Sequence, residues 1–133
     1  YCCIMSENFN LEIISPDNTI IKQEANQVTI PSFEGEMGIL KDHIPLITFL
    51  RPGIIKIQKD NTSKKYFVED GTVEFLKNNL LILTSTAKNV EKLDIESIEK
   101  IILQAEEKMK DSTIKDKDKF FLSHKLDTLK QLR

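Results

Sequence analysis

Few side chains of this 133-residue chain could carry out chemistry, and they do not form a recognisable catalytic set. The histidines are His43 and His124, and His43 follows Asp42, which could serve with it as an acid–base pair. Neighbours in sequence rarely face each other, however, and no nucleophile motif accompanies this pair. A loop histidine in a structural or partner contact is the simpler interpretation. A small hydrolase that uses Asp42 and His43 is the weaker one.

The glycines and cysteines also give no strong indication of catalysis. Gly35 and Gly38 have the spacing of half a phosphate-binding loop, but the Gly-Lys-Ser/Thr that completes such a loop does not follow. Cys2 and Cys3 are adjacent, which fits neither a disulfide framework nor a metal site, and a redox pair is the less favoured interpretation. No cluster of His, Cys, Asp and Glu has zinc or EF-hand spacing. The residue types therefore predict a binding or structural protein that has neither metal nor cofactor.

The charge and hydropathy of the chain exclude two classes of partner. Nineteen basic residues against 21 acidic ones give a net charge of −2, so no strong positive field is available to hold a nucleic acid. No uninterrupted apolar run approaches the roughly 20 residues that a membrane-spanning helix needs. We therefore expect no nucleic-acid binding and no insertion into a membrane, although the chain could still dock on a membrane complex.

The positions of the helix breakers divide the chain into two parts. All four glycines and all four prolines precede residue 72, which predicts short strands first and helices afterwards. Residues 91–133 carry ten basic and ten acidic side chains, a balance typical of solvated helix faces. We expect the boundary near Asn89, with a β domain over residues 6–89 and a helical part over residues 90–133. Residues 1–5, around a plausible initiator Met5, are interpreted as an extension outside the fold.

Segments with an apolar residue at every second position recur in the first part, separated by turn signals such as Asp70-Gly71. At least seven strands at such short spacing indicate an antiparallel sandwich or barrel. The segments are Phe9–Ile13, Ile20–Glu24, Gln27–Ile30, Ile54–Gln58, Lys65–Val68, Thr72–Phe75 and Leu80–Thr84.

The second part has the pattern of two amphipathic helices. Asp94 is a good N-cap residue, and apolar residues then recur at helical spacing on one stripe. A polar stretch at 111–118 interrupts the pattern before a second stripe. The first stripe is Ile95, Ile98, Ile102, Ala105 and Met109; the second is Leu122, Leu126 and Leu129, supported by Phe121 and Leu132. The sequence thus predicts an α+β fold, in which an antiparallel β-sandwich precedes an α-helical hairpin.

The segment from Ile30 to Ile55 is the most specific part of the sequence. It contains Gly35-Glu36-Met37-Gly38-Ile39, then His43-Ile44-Pro45-Leu46, then Pro52-Gly53. These motifs and their spacing resemble the signature of the epsilon subunit of bacterial F-type ATP synthases. The resemblance extends over residues 6–133, because the first strand, the Asp70-Gly71 hairpin and the junction at Leu93-Asp94 also agree.

This resemblance implies a role in the central rotor stalk. The family's sandwich grips the gamma subunit and rests on the ring of c subunits, and it has no active site of its own. It couples rotation of the proton-driven ring to ATP synthesis, while its C-terminal helices contact the catalytic alpha/beta head transiently and in many bacteria restrain hydrolysis. The resemblance also implies a peripheral location on the cytoplasmic face of the bacterial inner membrane. The alternative is a non-catalytic β-sandwich adaptor whose hairpin binds another protein.

Particular residues follow from the resemblance. Glu34, Glu36, Met37 and His43 become candidates for contact with the c ring or the gamma subunit, with Glu36 the best single candidate. Ordinary solubility of a turn is the alternative explanation for Glu34 and Glu36.

The regulatory hairpin would include Asp94, Ser97, Ile98, Leu122 and Leu126. Some bacterial relatives bind ATP through a motif in which Arg and Ala occupy the positions of Ser97 and Ile98. An arginine guanidinium is the usual fork for a phosphate group, and the lysines of this helical part are not equivalent to it. The sequence therefore argues against ATP binding here.

Overall fold

The computed structural model describes residues 8–16 and 19–132, without the side chains of Thr19 and Ile20. The proposed extension at residues 1–5 lies outside this part of the chain. The described residues form ten strands, a 3-10 turn at Val90–Lys92 and two α-helices. The strands are β1 (Phe9–Ile14), β2 (Thr19–Ala25), β3 (Gln27–Ser32), β4 (Gly35–Leu40), β5 (Leu46–Leu50), β6 (Gly53–Lys59), β7 (Thr62–Val68), β8 (Gly71–Leu76), β9 (Asn79–Leu83) and β10 (Ala87–Asn89). The helices are α1 (Ile95–Met109) and α2 (Asp116–Leu132).

The strands form the two layers of a sandwich, and the hydrogen-bonded pairing of strands continues from one layer into the other. One layer has the order β4-β3-β6-β7-β10 and the other has the order β5-β8-β9-β1-β2. The layers are joined where Ser32 at the end of β3 pairs with Leu50 at the end of β5. The predicted β-sandwich followed by a helical hairpin is confirmed.

One strand pair departs from the antiparallel pattern that the short turns predict. β1 and β9 run parallel, with Asn10 opposite Asn79 and Ile14 opposite Leu83, whereas the other pairs are antiparallel. Parallel neighbours require a long connection, and here most of the sandwich lies between the two strands in sequence. Local alternation along a strand contains no information about such a distant neighbour.

Three strands were not among the seven that the sequence predicts. β4 contains Gly35 and Gly38, which predicted a turn, but the turn itself is confined to Phe33 and Glu34. Glycine is tolerated in β4 because this strand lies at an edge of its layer. β5 has apolar residues on both of its faces, with Thr48 the exception, so its composition does not alternate, while β10 has only three residues.

Alternating residues of the strands fill the space between the layers, as the period of two requires. Aromatic packing adds to this core, since the rings of Phe9 and Phe75 meet edge to face with centroids 5.7 Å apart. The largest fully buried side chains of the sandwich are Phe75, Leu11, Ile13, Ile30, Ile39, Leu50, Ile55, Ile57, Leu80, Ile82 and Val28.

A second apolar cluster lies outside the sandwich, beneath the two helices. Phe67 of β7 is 2% exposed and packs in this cluster, with Ile54 of β6 beside it. The helices contribute Ile98, Ile102, Ala105, Leu126 and Leu129, all buried, and Leu122 and Leu132, partly buried. The hairpin is therefore bound to the outer face of β6 and β7 by most of the two predicted stripes. Ile95, which the sequence places on the first stripe, is instead 63% exposed at the first position of α1.

Candidate partner-binding surfaces

The tip of the β3–β4 hairpin carries three of the predicted contact residues. The hydroxyl of Ser32 donates a hydrogen bond to the carbonyl oxygen of Gly35 at 2.6 Å and closes this tight turn. The side chains of Glu34 and Glu36 are exposed. Met37, in contrast, packs partly against the sandwich core. The two carboxylates are thus free to meet a partner, whereas much of Met37 serves the fold.

Glu36 also lies beside the second helix. It lines a small polar groove of about 220 Å³ together with Arg51 and Lys56 from the sandwich and His124 and Asp127 from α2. This proximity could not be predicted from the sequence, because Glu36 and His124 are far apart in the chain. Any partner that contacts Glu36 would also approach α2.

His43 occupies a different place, at the far end of β4. Its ring packs edge to face against Phe75, with centroids 5.9 Å apart, and its Nδ1 lies 2.8 Å from the carbonyl oxygen of Ile44. The loop is fixed by Asp42, whose backbone N–H donates to the side-chain oxygen of Asn78 at 2.7 Å and whose carboxylate accepts from the Asn78 amide at 3.0 Å. Asp42 and His43 therefore have separate partners, and the arrangement resembles a structural loop more than an acid–base pair.

The predicted contact residues do not form one site. Glu34 and Glu36 lie at one end of β4 and His43 lies at the other, and the six residues of this strand span about 20 Å at ~3.3 Å per residue. The structure offers two separate contact points instead of a single patch.

The second layer carries an exposed apolar face that the sequence analysis does not predict. Ile47 and Phe49 of β5 are 78% and 64% exposed, and Leu76 of β8 and Leu83 of β9 are also exposed. The segment Leu46-Ile47-Thr48-Phe49-Leu50 contained the signal, because its four apolar residues lie on both faces of the strand, and such a strand needs cover on both. Exposed apolar side chains that are grouped on one face are typical of an interaction surface.

The hairpin residues named from the sequence hold the helices in place. Asp94 caps α1, since its carboxylate accepts a hydrogen bond of 2.7 Å from the backbone N–H of Ser97. This bond keeps the pKa of Asp94 below its ordinary value. Ile98 and Leu126 are buried in the cluster beneath the helices, and Leu122 packs against its edge. These contacts are structural; the role of these residues in regulation stays a prediction.

Helix α2 also touches the sandwich through aromatic contacts. Phe33 at the tip of the β3–β4 hairpin packs against Phe120 and Phe121, with ring centroids 5.1 and 5.7 Å away. The ring of His124 packs on Phe120 at 4.5 Å. These rings connect the turn that carries Glu34 to the first half of α2.

Polar contacts reinforce this docking of α2. Nη1 of Arg51 lies 3.5 Å from Nε2 of His124, and Lys125 forms an ion pair with Glu69. Burial lowers the pKa of His124, and the charge of Arg51 lowers this pKa further, while Asp127 opposes both effects.

Neither a metal-ligand cluster nor a membrane-spanning helix is found in the described part of the chain. Within residues 8–16 and 19–132, no group of three or more His, Cys, Asp and Glu side chains could hold a metal ion. Among the described helices, neither is long and apolar enough to cross a bilayer.

Comparison with known proteins identifies the family. Residues 8–90 match the beta-sandwich domain of the ATP synthase delta/epsilon chain family. The chain is 48% identical over 129 residues to the ATP synthase epsilon chain of Pelagibacter ubique, covering 96% of this chain and 99% of that protein. It is 32% identical over 130 residues to the epsilon chain of Parvibaculum lavamentivorans, covering 97% and 98%.

A solved structure has the same fold. A chain in the cryo-EM structure of the Euglena gracilis mitochondrial ATP synthase, OSCP/F1/c-ring, superposes with a TM-score of 0.75 at 22% identity, covering 96% of this chain and 81% of that one. The chain belongs to the ATP synthase epsilon chain family, as the motifs between Ile30 and Ile55 predict. The relatives that it matches over nearly their whole length are ATP synthase epsilon chains.

Proposed function

We propose that this chain couples rotation to ATP synthesis without catalysing a reaction itself, by docking on the gamma subunit through the exposed face of β5, β8 and β9. The observation that carries the proposal is the exposure of Ile47 and Phe49 on a well-formed strand. Burying such side chains against a partner contributes roughly 25 cal/mol per Å² of apolar surface. Leu76 and Leu83 extend the patch across the neighbouring strands.

The carboxylates at the tip of the β3–β4 hairpin supply the contact with the c ring. Glu34 and Glu36 are exposed and their backbone is held by a tight turn, so they present charge with little loss of conformational freedom on binding. His43 and the 73% exposed Ile44 provide a second contact at the other end of β4. A rigid sandwich between these points transmits torque because packed interiors are nearly incompressible.

The helical hairpin carries out regulation in this proposal. It restrains ATP hydrolysis when it leaves the sandwich and contacts the alpha/beta head, and it does so without binding ATP itself. Lysines 108 and 125 line the space between the helices and the sandwich, whereas the arginine fork suited to phosphate is not part of that lining. The complex places the chain at the cytoplasmic face of the bacterial inner membrane, as a peripheral subunit.

Binding of the gamma subunit tests the proposal. Phe49→Asp and Ile47→Asp place a charge in the centre of the apolar face, and we expect each to abolish the one-to-one complex with gamma at micromolar concentration in native mass spectrometry. Lys65→Asp is the matched control, since Lys65 is equally exposed on a strand but lies on the other layer. Circular dichroism checks that all three variants fold. Unchanged gamma binding by Phe49→Asp would remove this face from the interface.

A further inference from the structure

The contact between Arg51 and His124 joins two parts of the chain that are separated by 73 residues. Arg51 belongs to the sandwich, where its backbone N–H donates a hydrogen bond of 3.0 Å to the carbonyl oxygen of Pro31. His124 belongs to α2. The guanidinium has only donors, so Nε2 of His124, 3.5 Å from Nη1, can accept a hydrogen bond from it only while this nitrogen carries no proton. The docked position of α2 therefore favours the neutral imidazole of His124 over the protonated one.

We propose that this contact makes the docking of α2 on the sandwich dependent on pH, with docking weakened when His124 takes up a proton. Protonation converts the acceptor at Nε2 into a donor and places two like charges at 3.5 Å. The Arg51 backbone cannot retreat easily because Leu50 and Pro52 on either side are buried. The inference rests on contacts within this chain and is independent of the proposed partners.

Several charged groups face His124 and set the size of the effect. Arg51 disfavours the imidazolium, and Lys56 of β6 adds positive charge to the same groove. Asp127 on α2 favours it, and Glu36 of β4 adds negative charge to the groove. The Phe120 ring packs on the imidazole at a centroid distance of 4.5 Å and excludes water from one side of it. Burial and Arg51 together outweigh Asp127, and so the pKa of His124 is lowered in the docked state.

The sign of the pH dependence follows from this direction. At high pH the imidazole is neutral whether α2 is docked or released, so the histidine favours neither state. As the pH falls through the ordinary range of histidine, the released helix takes up the proton first, and docking loses stability. Below the pKa of the docked state both forms are protonated, and the effect stops growing. Over the whole titration, the ratio of docked to released chains changes tenfold for each unit by which the His124 pKa differs between the docked and the released state.

Energy transfer in solution measures this docking directly. In the full chain with Cys2→Ser and Cys3→Ser, donor and acceptor dyes on Asn61→Cys and Lys130→Cys report the distance between the sandwich and α2. Both positions are exposed. We expect the transfer efficiency to fall from about pH 8 to about pH 5, the range in which histidine titrates. The midpoint should follow the His124 ring signal in an NMR titration, which His43→Gln identifies by removing the other histidine.

Matched variants distinguish the effect of the Arg51–His124 contact from a general sensitivity of the chain to acid. His124→Gln and Arg51→Gln should each flatten the pH response. His43→Gln should leave the response unchanged. A wild-type chain whose transfer efficiency does not change with pH would overturn the proposal, and so would a full response in His124→Gln. The NMR titration decides the matter even if a variant folds poorly, because a His124 pKa at or above its ordinary value would also contradict it.

Discussion

Ile54 on β6 lies directly opposite Phe67 on β7, and both side chains point away from the sandwich core into the cluster beneath the helices. This pair forms the platform on which the hairpin rests, because Phe67 is buried although it belongs to an outer face. The sandwich and the hairpin therefore meet at this cross-strand pair.

Phe67→Ala should release the hairpin while the sandwich stays folded. Truncating a buried phenylalanine costs about 3–5 kcal/mol, and here that loss falls on the contact between the two parts. Limited proteolysis should then cut within residues 95–132 much faster than in the wild-type chain. Ile47→Ala is the control, since this side chain is 78% exposed and contributes little to folding. Unchanged protection of the helices in Phe67→Ala would show that other contacts hold them.

Gly71→Ala should destabilise the chain more than Gly35→Ala. Both glycines have positive φ, 149° and 140°, where an L-residue is strained by about 1–3 kcal/mol. A Cβ on Gly71 would also lie 2.5 Å from the carbonyl oxygen of Leu83, whereas a Cβ on Gly35 would meet nothing within 4 Å. Urea unfolding measures the two free energies. Equal losses would mean that the strand relaxes around the added methyl group.

The cap at Asp94 should contribute stability that depends on pH. Its pKa is lowered by hydrogen bonds from Ser97, so the stabilisation is present above the unfolded pKa and is lost as the pH falls through the folded pKa. Asp94→Asn keeps a capping side chain but cannot ionise. The difference in unfolding free energy between the two chains should therefore stay constant above about pH 5 and shrink as the pH falls below the ordinary aspartate pKa of about 3.9. A constant difference would contradict a charged cap.

Glu36→Lys should weaken proton-driven ATP synthesis and leave stability nearly unchanged. The side chain is exposed, so we expect a change below ~0.5 kcal/mol in the free energy of unfolding. Glu107→Lys, an equally exposed reversal on the outer side of α1, serves as the control and should leave synthesis intact. Synthesis is measured in membranes that contain the assembled complex. A loss of several kcal/mol in Glu36→Lys would instead make Glu36 a structural residue.

Much of the fold could be predicted because its signals are local. Alternation identified seven strands, and the cap at Asp94 with the stripe that follows it identified α1. The second stripe placed Leu126 and Leu129 on the buried side of α2, although the helix begins at Asp116, inside the polar stretch that was expected to separate the helices. Polar side chains at the start of a helix are exposed and leave no periodic signal.

The rest depends on contacts between distant residues. Whether Phe67 faces the core or the hairpin is decided by the register of β6 and β7, which alternation alone does not reveal because Tyr66 and Val68 beside it are buried as well. The proximity of Glu36 to His124 likewise arises from the path of α2 across β6. The candidate contact residues were therefore predicted individually, while their separation along β4 was not.

The parallel pairing of β1 with β9 imposes an order on biosynthesis. Asn10 must wait for Asn79, 69 residues later, before its amide can donate to the side-chain oxygen on the neighbouring strand. During translation β2 can cover one side of β1 early, but the other side stays an open edge until residues 79–83 leave the ribosome. The pairing of β1 with β9 therefore forms late in synthesis. The helices emerge later still, after the strands on which they dock.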